Sequence, residues 1–187
     1  MRLFIATTFP EAVLRSLNER LGAVKPKLPP ASWVRPETQH LTFAFLGEQD
    51  EVVVDRIAPR VCEHLRQTQP FDATLRGHGF FPNRRHARAG WCGAEPEDRF
   101  CAIAQSVREG VREGGVAFEE NEFRPHLTVM RIREHWPPLA IETFEKALRD
   151  YRSAPFAVDH VTLYVSRLNP KGAIHTPLRE FSLRLTP

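Results

Sequence analysis

The sequence is short of cysteine, of lysine and of long hydrophobic runs, and each shortage removes a class of protein. Its three cysteines, Cys62, Cys92 and Cys101, are odd in number and lie outside Cys-x-x-Cys spacing, which argues against a disulfide framework and a zinc knuckle. They read as small apolar residues. No apolar stretch approaches the roughly 20 residues of a membrane span. The first ten residues enter an amphipathic pattern without the apolar core of a signal peptide, so no membrane contact and a cytoplasmic location are expected. The glycine patterns of dinucleotide- and phosphate-binding loops are missing, as are Gly-x-Ser-x-Gly and His-x-x-x-His. Glu48, Asp50, Glu120 and Glu122 fall in expected loops, away from metal-ligand spacing. Neither a metal nor a cofactor is expected.

What is present is a chain of 187 residues, 42% apolar and 26% charged, enough for a sizeable core in one domain or two small lobes. The net charge is +3, a mild excess that favours a phosphate-bearing partner. Only Lys25, Lys27, Lys146 and Lys171 of the 26 basic residues are lysines. Arginine's planar fork suits phosphate, and a GC-rich genome produces the same bias.

Arg2–Thr7 reads as a buried strand, with Pro10 where a first helical turn tolerates it and Val13, Leu14, Leu17 and Leu21 following at helical spacing. Three prolines between Lys25 and Ala31 predict a loop without regular structure. A second strand spans Gln39 to Leu46 and ends at Gly47. Val53, Ile57, Val61 and Leu65 mark a helix that Pro59 is expected to kink or break. Strands at Phe71 to Arg76 and Ala89 to Gly93 bracket an expected loop from Gly77 to His86. Phe100, Ile103, Val107 and Val111 stripe a third helix, stopped by Gly114-Gly115. His126 to Ile132 is a strand, Leu139 to Tyr151 a helix, and Phe156 to Val165 and Ala173 to Leu185 the last strands. Some four helices and seven strands, several of them joined without a helix, predict α+β with antiparallel or mixed sheets. Strand, helix and a His-bearing strand recur in each half, suggesting two similar lobes.

The clearest signal is a repeat. His40-Leu-Thr-Phe43 and His126-Leu-Thr-Val129 are one motif written twice, and composition alone predicts far less than one copy of His-Leu-Thr. Arg35-Pro36 precedes the first and Arg124-Pro125 abuts the second. Side chains alternate along a strand, so His40 with Thr42, and His126 with Thr128, share a face while Leu41 and Leu127 point into the core. Two imidazoles and two hydroxyls facing one cleft suit in-line cleavage of a phosphodiester: one imidazole takes a proton from water, the other protonates the leaving oxygen, and the hydroxyls bond the phosphate. Histidine's ordinary pKa near 6.5 lets both protonation states exist near neutrality. Arg131 alternates to the face opposite Thr128 in a straight strand, and reaches the phosphate only if the strand twists or ends there. His160-Val-Thr162 has the same spacing but lacks the leucine and the Arg-Pro lead-in, and reads as structural.

At these residues the chain resembles the 2H phosphoesterase superfamily, in particular its RNA 2',3'-cyclic phosphodiesterases, also described as 2'-5' RNA ligases. The resemblance runs nearly end to end: Arg2-Leu-Phe-Ile-Ala6 with Pro10, Trp33-Val34 with Pro36 and Glu37, the first motif with Phe45-Leu-Gly47, and Gly79-Phe-Phe-Pro82. It continues through Trp91, Gly93, Phe123-Arg-Pro-His-Leu-Thr128 with Arg131, Leu163-Tyr164, Ser166-Arg-Leu168, Pro170 and Gly172. It implies one domain over residues 1–187, made of two intertwined, pseudo-symmetric α+β lobes around a cleft. The implied activity is metal-independent hydrolysis of the 2',3'-cyclic phosphates on RNA ends or nucleotides to 2'-phosphates, without an obligate protein partner. His40 is then the proton donor and His126 the acceptor, a pair of labels that near-symmetry makes interchangeable. Thr42, Thr128 and Arg131 hold the phosphate. Other readings are reversible 2'-5' ligation, cleavage of small cyclic or 2'-5'-linked nucleotides, and an RNA-end binding module with incidental turnover. His175 stands where relatives often carry Tyr, and Met130 replaces a usually small residue; neither is expected to touch the quartet. Phe9, Trp33 and Phe81 are candidates for stacking on a terminal base, with core packing an equal account of the first two. Arg84, Arg85 and Arg88 either follow an RNA backbone or form a solvated loop.

Overall fold

The computed structural model describes residues 1–118, 121–170 and 172–183. Among them the chain forms β1 (Arg2–Thr7), α1 (Glu11–Val24), β2 (Ser32–Trp33), β3 (Leu41–Glu48), α2 (Val52–Leu65), β4 (Phe71–Phe81), β5 (Ala89–Glu95) and α3 (Glu97–Glu113). There follow β6 (His126–Arg131), α4 (Pro138–Leu148), β7 (Phe156–Val158), β8 (His160–Asn169) and β9 (Gly172–Ser182). Every strand pairing is antiparallel, in a four-stranded sheet ordered β3-β1-β8-β9 and a five-stranded sheet ordered β2-β6-β5-β4-β7. The fold is α+β and two-lobed, as expected, and no described helix is long and apolar enough to cross a membrane.

The lobes exchange helices. α3 leaves β5 of the five-stranded sheet yet packs with α2 against β3 and β9 of the other sheet, whereas α1 leaves β1 and packs on α4, which lies on β4. Leu17, Ile57, Phe100 and Phe144, one from each helix, are fully buried in one apolar core. Removing apolar side chains from water stabilises by about 1.5–3 kcal/mol each, which is why the four apolar stripes locate the helices so well. Helices α2 and α3 approach closely because Gly110 has no side chain: a Cβ there would stand 2.6 Å from Val61 Cα.

Several expectations fail for identifiable reasons. α2 continues as one helix through Pro59, whose missing N–H falls on the exposed face of the helix, where Asp55 one turn earlier is also exposed. Lys25–Lys27 forms a 3-10 turn with Pro26 in its first positions, where no N–H is needed. β3 runs through Gly47, in the left-handed region at φ 70°, to Glu48. β4 extends to Phe81 through the segment expected to be loop. Gly77, at φ 81°, supplies a bulge there: Leu75 pairs with Ala94 and His78 with Cys92, leaving Arg76 and Gly77 opposite Gly93 alone. Among the described residues strands number nine because Ser32–Trp33 adds a short edge and Phe156–Val165 breaks at Asp159, where the chain changes sheets: β7 pairs with β4, β8 with β1. The last strand is described to Ser182; residues 184 and 185 of its expected span lie outside the described residues, as does Glu120 of the expected loops.

Candidate active site

The motif strands β3 and β6 belong to different sheets and meet each other where the lobes join. Within each, alternation acts as the sequence suggests: Leu41 and Leu127 are fully buried, while His40, Thr42, His126 and Thr128 are half-buried. Beyond the threonines the alternation breaks. Ala6 pairs with Thr42 and Ile5 with Ala44, leaving Phe43 as an extra residue; Trp91 pairs with Thr128 and Gly90 with Met130, leaving Val129 as an extra residue. Both motifs therefore carry a bulge immediately after the threonine. Each bulge slips the alternation by one, so two consecutive buried residues, Phe43-Ala44 and Val129-Met130, are followed by an exposed one. Those exposed residues are Phe45 and Arg131. Both line a cleft of about 730 Å³ that also contains Thr42, Phe81 and His126. The face to which Arg131 turns is thus set by a bulge in addition to its place at the end of the strand.

The two imidazoles are held alike. Nδ1 of His40 lies 2.7 Å from the carbonyl oxygen of Thr38, and Nδ1 of His126 lies 2.7 Å from that of Arg124, each two residues back. A carbonyl only accepts, so both Nδ1 atoms carry the proton, and Nε2 is left as the exchangeable position on each ring. Flat neighbours complete each support. His40 packs on Phe4, with centroids 4.8 Å apart, and His126 meets Phe81 at 4.7 Å and Trp91 at 6.1 Å. Trp91 in turn covers Gly79, where a Cβ would stand only 2.3 Å from the indole.

Burial lowers the pKa of His40 to about 4; the bond to the Thr38 carbonyl opposes this, and the charges of His175, His126 and Arg131 reinforce it. His126 is lowered by burial and by Arg124, against its own backbone bond. Thr42 of one motif and His126 of the other line the same cleft, whereas His40 and Thr128 are not among its lining residues. Burial of His40 also makes stability depend on pH. Between the folded value near 4 and the unfolded value near 6.5, the unfolded chain binds more protons at His40, so stability rises with pH across that window. Moving from pH 7.5 to pH 5 is expected to cost about 2 kcal/mol through this group. Urea midpoints at the two pH values measure it, and His40→Gln should flatten the slope; an unchanged slope would contradict the shift.

The other candidates are spread out. Phe81 lies in the cleft, edge-on to His126. Phe9 is buried against Phe156, and Trp33 lies at the β2 edge under Lys25; neither lines the cleft. Arg84 is bound by Glu145 at 2.9 Å, Asn83 caps the turn through the N–H groups of Arg85 and His86, and Arg88 reaches the cleft. His160 bonds Asp159 at 2.5 Å on the four-stranded sheet, away from the cleft lining. The expectation that His175 stays clear of the quartet is wrong. Arriving on β9, it packs edge-on to His40 at 5.1 Å and touches Phe4. Met130 is fully buried over Gly90. Phe45 was not a candidate in the sequence; its signal is its place five residues after His40, matching that of Arg131 after His126.

A family model described as the 2'-5' RNA ligase superfamily matches residues 11–170. The chain belongs to the 2'-5' RNA ligase superfamily. Among the proteins it is similar to, an RNA 2',3'-cyclic phosphodiesterase of Thermotoga maritima is 34% identical, covering 96% of this chain and 94% of the relative. A protein of the same name from Archaeoglobus fulgidus is also 34% identical, with 97% and 99% covered. The crystal structure of TT0787 from Thermus thermophilus superposes with a TM-score of 0.77 at 31% identity over 98% of both chains. Apo LigT of E. coli shares the fold, with a TM-score of 0.74 at 24% identity over 98% of both chains.

Proposed function

We propose that the chain is a metal-independent phosphodiesterase that opens RNA terminal 2',3'-cyclic phosphates to 2'-phosphomonoesters. The observation that carries this reading is the duplicated His-x-Thr strand, bulged and tethered in the same way twice, with both Nε2 atoms left free for proton transfer. The names of the relatives agree with it. Nε2 of His126 takes a proton from water as the water oxygen attacks phosphorus. The bond from phosphorus to the 3'-oxygen breaks, and that oxygen takes the proton from Nε2 of His40. Thr42, Thr128 and Arg131 hold the non-bridging oxygens as charge builds on them. Neutral His126 is the form that burial favours, as a base requires. The imidazolium of His40 forms when the anionic phosphate lies beside it, because opposite charge offsets the burial that lowers its pKa.

The test is product analysis on a cyclic-ended oligonucleotide in excess EDTA. A 2'-phosphate formed at the rate seen without chelator is the expected result. A 3'-phosphate would overturn the assignment of the leaving oxygen, loss of activity in EDTA would overturn metal independence, and an unopened ring would overturn hydrolysis.

A further inference from the structure

The described lining of the cleft carries more positive charge than one reacting phosphate needs. Among the described residues Arg88, Arg108, Arg124 and Arg131 line it, with one carboxylate, Glu122. Arg88 and Arg124 are held by neutral partners: Arg88 donates to the carbonyl of Arg133 at 2.8 Å, and Arg124 lies over the Trp91 ring at 5.8 Å. No described carboxylate is within ion-pair distance of either. They also stand at opposite ends of the catalytic strand. Arg124 precedes His126 by two residues, while Arg88 adjoins Ala89, the partner of Arg131. From residue 124 to residue 131 an extended chain with one bulge covers roughly 20 Å, at about 3.3 Å per residue. Phe45, which lines the same cleft, is 44% exposed with the guanidinium of Arg2 at 4.9 Å from its ring.

We infer, building on the function proposed above, that the cleft holds the single strand of RNA leading to the cyclic end. Arg124 and Arg88 meet phosphates other than the reacting one, and the exposed face of Phe45 stacks on a base. The pseudo-symmetry gives this division a physical basis. The same bulge delivers a cation in one lobe and an aromatic ring in the other, so the two halves serve phosphate and base respectively. Stacking on an aromatic side chain is tolerant of sequence, since every base has a π-face, whereas the arginines add a salt-dependent attraction to the backbone.

The experiment compares kcat/KM for a cyclic-ended pentanucleotide and for a cyclic mononucleotide, at low and at physiological salt. The intact protein is expected to favour the pentanucleotide by about tenfold or more at low salt and to lose that advantage as salt rises. Arg124→Gln and Arg88→Gln should each reduce the ratio of the two substrates by roughly threefold to tenfold and flatten its salt dependence. Phe45→Ala should lower it without changing the salt slope. A ratio near one in the intact protein, or variants that slow both substrates in parallel, would overturn the inference. If neither substrate is opened, the proposed activity fails, and binding decides the strand reading separately. A fluorescent pentanucleotide ending in a 2'-phosphate, followed by anisotropy, should bind more tightly than a 2'-mononucleotide and lose affinity in the arginine variants. Equal affinity for the two would overturn it.

Discussion

Replacing either motif histidine is expected to cost the most: His40→Gln and His126→Gln should each lower kcat by roughly 10² to 10⁴. Both rings are tethered by Nδ1 to a carbonyl, so the chemistry depends on a single nitrogen per ring, and glutamine's amide cannot exchange a proton there. The double variant should be scarcely slower than the worse single one, because groups that act as a unit are far from additive. His160→Gln is the control. That ring bonds Asp159 and sits on β8, outside both motif strands, so its loss should alter stability and leave kcat within a factor of about three. Turnover measured beside far-UV circular dichroism separates lost chemistry from lost fold. A folded His40→Gln or His126→Gln protein at full activity would remove the two-histidine mechanism. The pH dependence of kcat gives a second reading of the same pair: a bell whose limbs belong to both imidazoles together.

What could be read from the sequence depended on how local the physics is. The apolar stripes located the helices because burial at a period of 3.6 residues is written in a short window, as at Phe100, Ile103, Val107 and Val111. The His-x-Thr pairs were legible for the same reason at a period of two. The bulges at Phe43 and Val129 were not. Neither position is glycine, and nothing in Thr-Phe-Ala or Thr-Val-Met marks an extra residue; the slip exists only relative to the partner strands β1 and β5. His175 escaped for a different reason. It reaches His40 through the pairing of β8 with β9, from the far end of the chain, and no spacing connects the two. Gly77 misled because a positive φ serves a bulge within a strand as readily as a turn that ends one. Pro59 misled because the cost of proline in a helix depends on which face loses the hydrogen bond, a matter of tertiary placement.

Arg131 should rank next in effect, because the bulge at Val129 turns it into the cleft beside His126. Arg131→Gln is expected to reduce kcat by about 10² to 10³, the scale on which a donor aimed at developing negative charge is lost. As water attacks, negative charge grows on the non-bridging oxygens, and a guanidinium that meets two of them stabilises that state more than the ground state. Arg131→Lys should recover only part of the loss, since a point charge restores attraction without the planar fork. Arg131 has a second, opposing influence: its charge helps to keep His40 neutral in the empty site. Arg131→Gln should therefore raise the apparent pKa of His40 in the free protein, readable from its imidazole proton resonances, while kcat falls. Those opposite movements distinguish phosphate stabilisation from structural support. A variant that kept kcat within about threefold would place the essential cation elsewhere in the cleft, and one that lost activity with the His40 titration unchanged would point to structural support. The mirror position sharpens the test. Phe45→Ala alters the residue that the equivalent bulge exposes, yet it should leave the His40 titration where it is, because a neutral ring exerts no comparable field on that imidazole.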